Sequence, residues 1–253
     1  MKFIRSLFLF VIITGALYSG AWFGLAFYMN NYIDNFYNED GPRMGIILEG
    51  QQPKVSGFPF EPVISYRRGF EYEGSKFSFK EMTLTGFPIP YFPVTLDING
   101  NVTLENKNIK QQIKFDHIKL GFIAPKYIPQ NSDKNEVKKW QREIGRIEIE
   151  DFLIKAGSVE LSGDGFIGLD RNLQPETMLS SYIAGYEEMI TALIKQDAIK
   201  PVVGAVTLST LKNLELIDEA TGRNIVQFNI VIENRQLSIG PLKIATFPPM
   251  VWL

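Results

Sequence analysis

The sequence predicts an α+β protein in which an N-terminal transmembrane helix leads into a long, curved, mainly antiparallel β-sheet covered by one or two amphipathic helices. Three observations predict it. From Ser6 to Ile33 there are 28 consecutive residues without a charge. Beyond that run apolar and polar residues alternate with a period of two, as in strands with one wet face. One stretch, from Met178 to Ile194, instead repeats its apolar residues at helical spacing. With 253 residues, 45% hydrophobic and 21% charged, the chain has material for one or two domains with a substantial core, which excludes wholesale disorder. It has no cysteine and one histidine, which removes disulfide frameworks, thiol nucleophiles, cysteine-based zinc sites and a lipid-modified N-terminal cysteine. A formal net charge of -2 supplies no basic field, so no nucleic-acid partner is expected.

As an α-helix at ~1.5 Å per residue, the uncharged run reaches roughly 42 Å, against a hydrocarbon layer of ~30 Å. Its apolar part, residues 7–29, is expected to contact the lipid bilayer. Tyr18, Trp22, Tyr28 and Tyr32 crowd the second half, where aromatic rings favour the headgroup level, and the cations Lys2 and Arg5 stand at the start. The positive-inside rule then places the N-terminus in the cytoplasm and everything after Asp34 on the other side. A cleaved signal peptide would have an apolar region of about 7 to 15 residues ending at a small-x-small site. The nearest match here, Gly24-Leu25-Ala26, is embedded among bulky residues. The expectation is an uncleaved single-pass anchor, residues 1–33, followed by an exposed β-rich domain, residues 34–253. Asn30 to Glu39 is expected to extend the helix until Gly41-Pro42 stops it.

The β-rich domain divides into a front β block at about residues 43–124 and a rear β–α–β block at about 143–253. Leu96, Ile98, Val102 and Leu104 alternate with polar residues in one strand, and Val226, Phe228, Ile230 and Ile232 do the same in another. Three runs change phase in mid-course. Phe77 and Phe79 precede Met82 and Leu84; Ile113 and Phe115 precede Ile118, Leu120 and Phe122; Ile147 and Ile149 precede Phe152 and Ile154. A β-bulge restores the apolar face after such a slip while bending the strand, so recurrent slips predict strong curvature. Between the blocks, Pro125 to Arg142 reads as a loop with one helical turn. The helical stretch is read as a cover helix from Pro175 to Asp197, whose Met178, Tyr182, Ile183, Tyr186, Met189, Ile190 and Leu193 face the sheet or an apolar groove. A shorter helix is expected from Pro201 to about Leu211.

A short motif recurs as Ser56-Gly57-Phe58-Pro59-Phe60 and Thr85-Gly86-Phe87-Pro88-Ile89, with Phe247-Pro248-Pro249 as a weaker echo. Glycine permits positive φ and the residue before proline is extended, so each motif is expected to kink a strand end while its Phe stays in the core. The first of these motifs, the strand Leu161-Ser162-Gly163-Asp164-Gly165-Phe166, the helical region after it and the closing Asn234-Arg235-Gln236-Leu237-Ser238-Ile239-Gly240-Pro241 resemble the alphaproteobacterial family named domain of unknown function 2125, over nearly the whole chain. Gln236 and Ile239 depart from its closing motif. The resemblance makes Gly57, Phe58, Pro59, Gly86, Phe87, Pro88, Gly240 and Pro241 structural residues, and it extends distantly to AsmA-type envelope proteins. It implies a bacterial inner-membrane anchor, a periplasmic domain and lipid handling or envelope maintenance, and it offers no catalytic residue to carry over.

Nothing in the sequence assembles chemistry. His117 stands beside Asp116 at a phase slip, but there is no cysteine and no Gly-x-Ser-x-Gly elbow to make it a catalytic base. Asp164 and Asp170 near Gly165 and Gly168 faintly resemble a calcium loop without its spacing. Glu148, Glu150 and Asp151, and Glu187 with Glu188, read as solvated faces. Lys138-Lys139-Trp140-Gln141-Arg142 is a short basic cluster that reads first as a solvated edge. No enzyme activity, catalytic residue, metal or cofactor is expected. Two readings remain open: a curved sheet that binds an acyl chain or another hydrophobic envelope component, or a membrane-tethered scaffold that binds an envelope protein partner.

Overall fold

The computed structural model describes residues 2–72, 74–87, 89–106, 111–129, 133–195, 199–219 and 221–252. Helix α1, Lys2–Asn35, takes up the uncharged run and is long and apolar enough to cross a membrane. A π-helical turn, Phe36–Asp40, and a final turn α2, Gly41–Arg43, continue it. Gly41-Pro42 therefore does not end the helix: proline is compatible with a first turn, and the chain turns away only after Met44, at Gly45 with φ +77°.

The chain then runs back down the helix. Tyr37 donates to the Gly50 carbonyl at 2.8 Å, Gln52 bonds Asp34, and the Val55 amide donates to Asn30 Oδ1 at 3.2 Å. Further down, the Tyr18 hydroxyl donates to the Pro59 carbonyl and Trp22 Nε1 to the Phe60 carbonyl at 2.8 Å. Trp22, Ala26 and Met29, spaced i, i+4 and i+7, form a buried stripe, and the helix is open on the Leu17, Phe23 and Phe27 side. Strands β1, Ile46–Glu49, and β2, Lys54–Ser56, lie along this return path and both pair with β3, Val63–Tyr72.

From β3 the sheet grows as an antiparallel meander through β4 (Ser75–Gly86), β5 (Pro93–Asn106), β6 (Gln111–Ile123), β7 (Arg146–Ala156), β8 (Val159–Leu169) and β9 (Pro175–Ala184). It continues through β11 (Asn224–Glu233), β12 (Gln236–Ile239) and β13 (Leu242–Thr246), with β10 (Glu215–Ile217) paired beside β11. All three phase slips coincide with shifts of pairing register: between Ser78 and Glu81 in β4, opposite Asn99 to Val102 in β6, and between Ile149 and Phe152 in β7. At the first two, the curved sheet folds its apolar face onto itself. Tyr66, Phe79 and Val102 are buried there, with Phe70, Met82, Ile98, Phe115 and Ile118 around them.

The rear core differs from the expected cover helix. Pro175 to Ala184 is β9, and helix α4 occupies only Tyr186–Lys195; Asp197 lies outside the described residues. Met178, Tyr182 and Ile183 are thus strand residues, and Met178 is half exposed. Thr177, Ser181 and Ile183 alternate into the protein with period two, and strands β8 and β11 flank the segment on both sides with full register. Paired strands on both edges outweigh an ambiguous local periodicity. Gly185, at φ +70° and pressed against the Ser158 carbonyl, breaks the chain between strand and helix.

Helix α4 and helix α5, Pro201–Lys212, cover β8, β9 and β11. Ile183, Tyr186, Ile190 and Val226 are buried there beneath Met189, Ile194, Leu208 and Leu211. Full burial of such an Ile or Val contributes about 1.5–3 kcal/mol. Between the blocks, the expected loop contains a further helix, α3, Lys134–Glu143. Asp133 caps it by accepting from the Asn135 amide at 2.6 Å and the Glu136 amide.

Candidate functional site: an apolar groove beside α3

Helix α3 presents Val137 and Trp140, both buried, toward the sheet, and the Trp140 Nε1 donates to the Tyr127 carbonyl at 2.8 Å. Opposite them, Ile147, Ile167 and Thr177 stand side by side on β7, β8 and β9, one register row of one face. Arg146 and Glu148 alternate with Ile147 and pair with each other at 2.6 Å. The C-terminal tail closes one side. Trp252 Nε1 donates to the Leu173 carbonyl at 2.8 Å, while Gln174 and Met250 exchange two hydrogen bonds at 3.2 and 2.8 Å. Between these walls lies a groove of about 590 Å³, completed by Met44, Ile128, Pro129, Gly168, Leu169 and Pro175. Among the described residues no lining side chain carries a charge, and Thr177 supplies a polar one. The groove is shallow and open to solvent, with a mainly apolar lining.

The residues expected at a groove divide differently. Tyr186, Met189 and Ile190 pack the rear core, and Leu193 is half-buried beside it, so α4 fills its part of the sheet face. The Tyr186 hydroxyl donates to Glu215; burial, and then that carboxylate, hold the phenol above its usual range. Of the structural motif residues, Gly57, Gly86 and Gly240 adopt positive φ at +108°, +120° and +55°, and Gly240-Pro241 turns β12 into β13. Pro88 lies outside the described residues. Phe87 is half-buried, but Phe58 does not enter the core. It packs on α1 at 5.4 Å from the Trp22 ring and 5.1 Å from Phe23, because its turn lies against that helix rather than under the sheet.

The polar candidates are partnered structurally. His117 faces Asp97 at 3.2 Å, while Asp116 accepts from the Gly157 amide at 2.6 Å. Asp170 closes the β8–β9 turn by accepting from the Asn172 and Gln174 amides, both at 2.8 Å, and Asp164 stands in β8 opposite Ser180. Asp151 meets Lys119 at 2.6 Å and Glu187 meets Lys212 at 2.9 Å. Lys138 and Lys139 lie on the exposed side of α3. Glu160 on β8 ties β7 to the loop that leads into β11. Burial works to raise its pKa, but Lys155 and Arg223, each at 3.0 Å, prevail and hold it below the usual carboxylate range. Its stabilisation is therefore full above the unfolded-state value and is lost as pH falls through the lower folded value. Glu160→Gln is expected to destabilise by about 1 kcal/mol at neutral pH and by less at pH about 3, which denaturant midpoints at the two pH values will read.

A family model described as an uncharacterized protein conserved in bacteria, DUF2125, matches residues 99–248. The chain belongs to this family. The DUF2125 match runs from the middle of β5 through β13, so it takes in α3, the rear core and ten of the twelve groove residues; Met44 and Trp252 fall outside it. The Gly57-Phe58-Pro59 and Gly86-Phe87 motifs precede the matched DUF2125 segment. No curated protein and no solved structure matches the chain.

Proposed function

We propose that this is a membrane-anchored, non-enzymatic β-sheet protein of the bacterial envelope that receives an acyl chain or a comparable hydrophobic group in the groove beside α3. In this reading the anchor sits in the inner membrane, with the N-terminus cytoplasmic and the sheet in the periplasm. The observation that carries it is the groove's uncharged lining between two tryptophans, Trp140 and Trp252. An apolar occupant gains about 0.8 kcal/mol for each methylene it buries there. Native mass spectrometry of the detergent-extracted full chain is expected to show bound lipid. Ile167→Trp, at a 41% exposed position on the groove floor, should weaken binding of a fluorescent fatty acid roughly tenfold, the loss of about two methylenes of room. A lipid-free spectrum together with unchanged fatty-acid binding in the variant would rule the reading out.

One observation favours a second reading, a scaffold for an envelope protein. Among the described strands β13 pairs with β12 alone, and its exposed Ile244 stands on an edge that another chain can extend. In-cell crosslinking from β13 to one reproducible protein would support it over the lipid reading.

A further inference from the structure

The contact between α1 and the sheet restricts where a bilayer can lie. The apolar stretch from Leu7 to Met29 is centred on Tyr18, so a bilayer laid symmetrically over it puts Tyr18 at the midplane. Yet the Tyr18 hydroxyl and the Trp22 indole both bond backbone carbonyls of the turn at Pro59 and Phe60, with Glu61 next in sequence. Irregular backbone against lipid is not tolerated in the hydrocarbon core. The conflict disappears if the outer hydrocarbon boundary crosses the helix at Tyr18 to Trp22. Counting back from Trp22 at ~1.5 Å per residue, a layer of ~30 Å ends near Lys2, which brings both N-terminal cations to the opposite boundary region.

At this same level the sheet carries its own exposed apolar side chains. Phe60 is 78% exposed, Tyr91 73% and Phe92 50%, with Phe58 and Ile89 also open. The turn that follows β4 reaches the same end of the sheet as the Pro59 turn: the Gly86 amide donates to the Pro62 carbonyl at 3.1 Å, and Phe87 and Phe60 line one shallow cleft together with Tyr18. Clustered exposed rings of this kind mark an interaction surface, and beside a membrane helix the headgroup layer is where Phe and Tyr settle.

We propose that the chain holds its membrane at two places: α1 spans it from about Lys2 to Trp22, and the turns around Phe60 and Tyr91 dip into the headgroup layer of the outer leaflet beside the helix. The proposal rests on α1 crossing a bilayer, and its test separates the two. Because the chain has no cysteine, single cysteines at Leu17, Phe27, Phe60 and Tyr91 can each carry an environment-sensitive fluorophore in the full chain. The four native side chains are exposed, so labelling leaves the packing intact. In vesicles of phosphatidylcholine and phosphatidylglycerol, the Leu17 label should be quenched by deep spin-labelled lipid. The Phe60 and Tyr91 labels should shift to the blue and lose most of their emission to shallow spin-labelled lipid, and the Phe27 label should remain open to aqueous iodide. If the Leu17 label is deep but those at Phe60 and Tyr91 answer only to iodide, or to neither quencher as under a covering protein, the insertion is wrong and the anchor stands. A Phe27 label as deep as that at Leu17 overturns the boundary. A Leu17 label open to iodide overturns anchor and insertion together.

Discussion

Tyr66→Ala is expected to destabilise the front of the sheet by about 4 kcal/mol, the upper range for truncating a buried aromatic side chain. Tyr66 is 2% exposed and sits where the register shifts of β3 and β4 fold the apolar face inward, its ring 5.9 Å from Phe79. Its hydroxyl also shares its one proton between the Glu49 and Gly69 carbonyls, which joins β1 to β3. Tyr66→Phe keeps the ring and removes only the donor, so its cost is expected at about 1–3 kcal/mol. Hydrogen exchange will localise both losses to β3, β4 and β5, because this core shares no residue with the one under α4. Burial foremost, then the charge of Tyr37, pushes the Tyr66 phenol up to about 12. The unfolded chain loses that proton first, so the stabilisation is intact below pH about 10 and falls away between about 10 and 12. Tyr66→Phe should abolish this alkaline loss.

Gly165→Ala is expected to destabilise by roughly 3 to 5 kcal/mol, from backbone strain and overpacking together. Gly165 has φ +146°, and a Cβ built there overlaps the Met178 carbonyl oxygen on the paired strand β9. Backbone in the middle of a sheet cannot rotate away as a flexible side chain would. Gly222→Ala is the control for conformation alone: φ is +67° with open space around it, and about 1 kcal/mol is expected. Denaturant unfolding of the two variants measures the difference, and equal effects would show that β8 and β9 can separate at Gly165 without loss.

Much of the architecture is legible in the amino-acid order. Each phase slip, at Phe79, Phe115 and Ile149, marks a place where pairing register shifts, because a strand with a buried face has no other way to recover it. The long helix α1 is equally plain. The segment after Pro175 misleads because Met178, Leu179, Tyr182 and Ile183 satisfy both periods, and only the partners β8 and β11, distant in sequence, decide between them. Helix α3 is hidden among lysines and prolines, yet Asp133 three residues before Glu136, with Val137 and Trp140 at helical spacing, carries the signature of a capped amphipathic turn. The groove is not legible at all. Its walls come from residues 44, 128, 129, 137, 140, 147, 167–169, 175, 177 and 252, which sheet curvature and the Trp252 clasp bring together.

The order of the strands also bears on how the chain assembles. From β3 to β9 each strand pairs with the one before it, and the first departure is the detour through α4, α5 and β10 before β11. A chain made from its N-terminus therefore meets a finished edge at every step, with α1 and the segment from Gly50 to Phe60 already zipped together as the template. Growth along a single front leaves one growing edge at a time, so a cysteine-free sheet of this length can form without a covalent staple to hold an early strand for a late one.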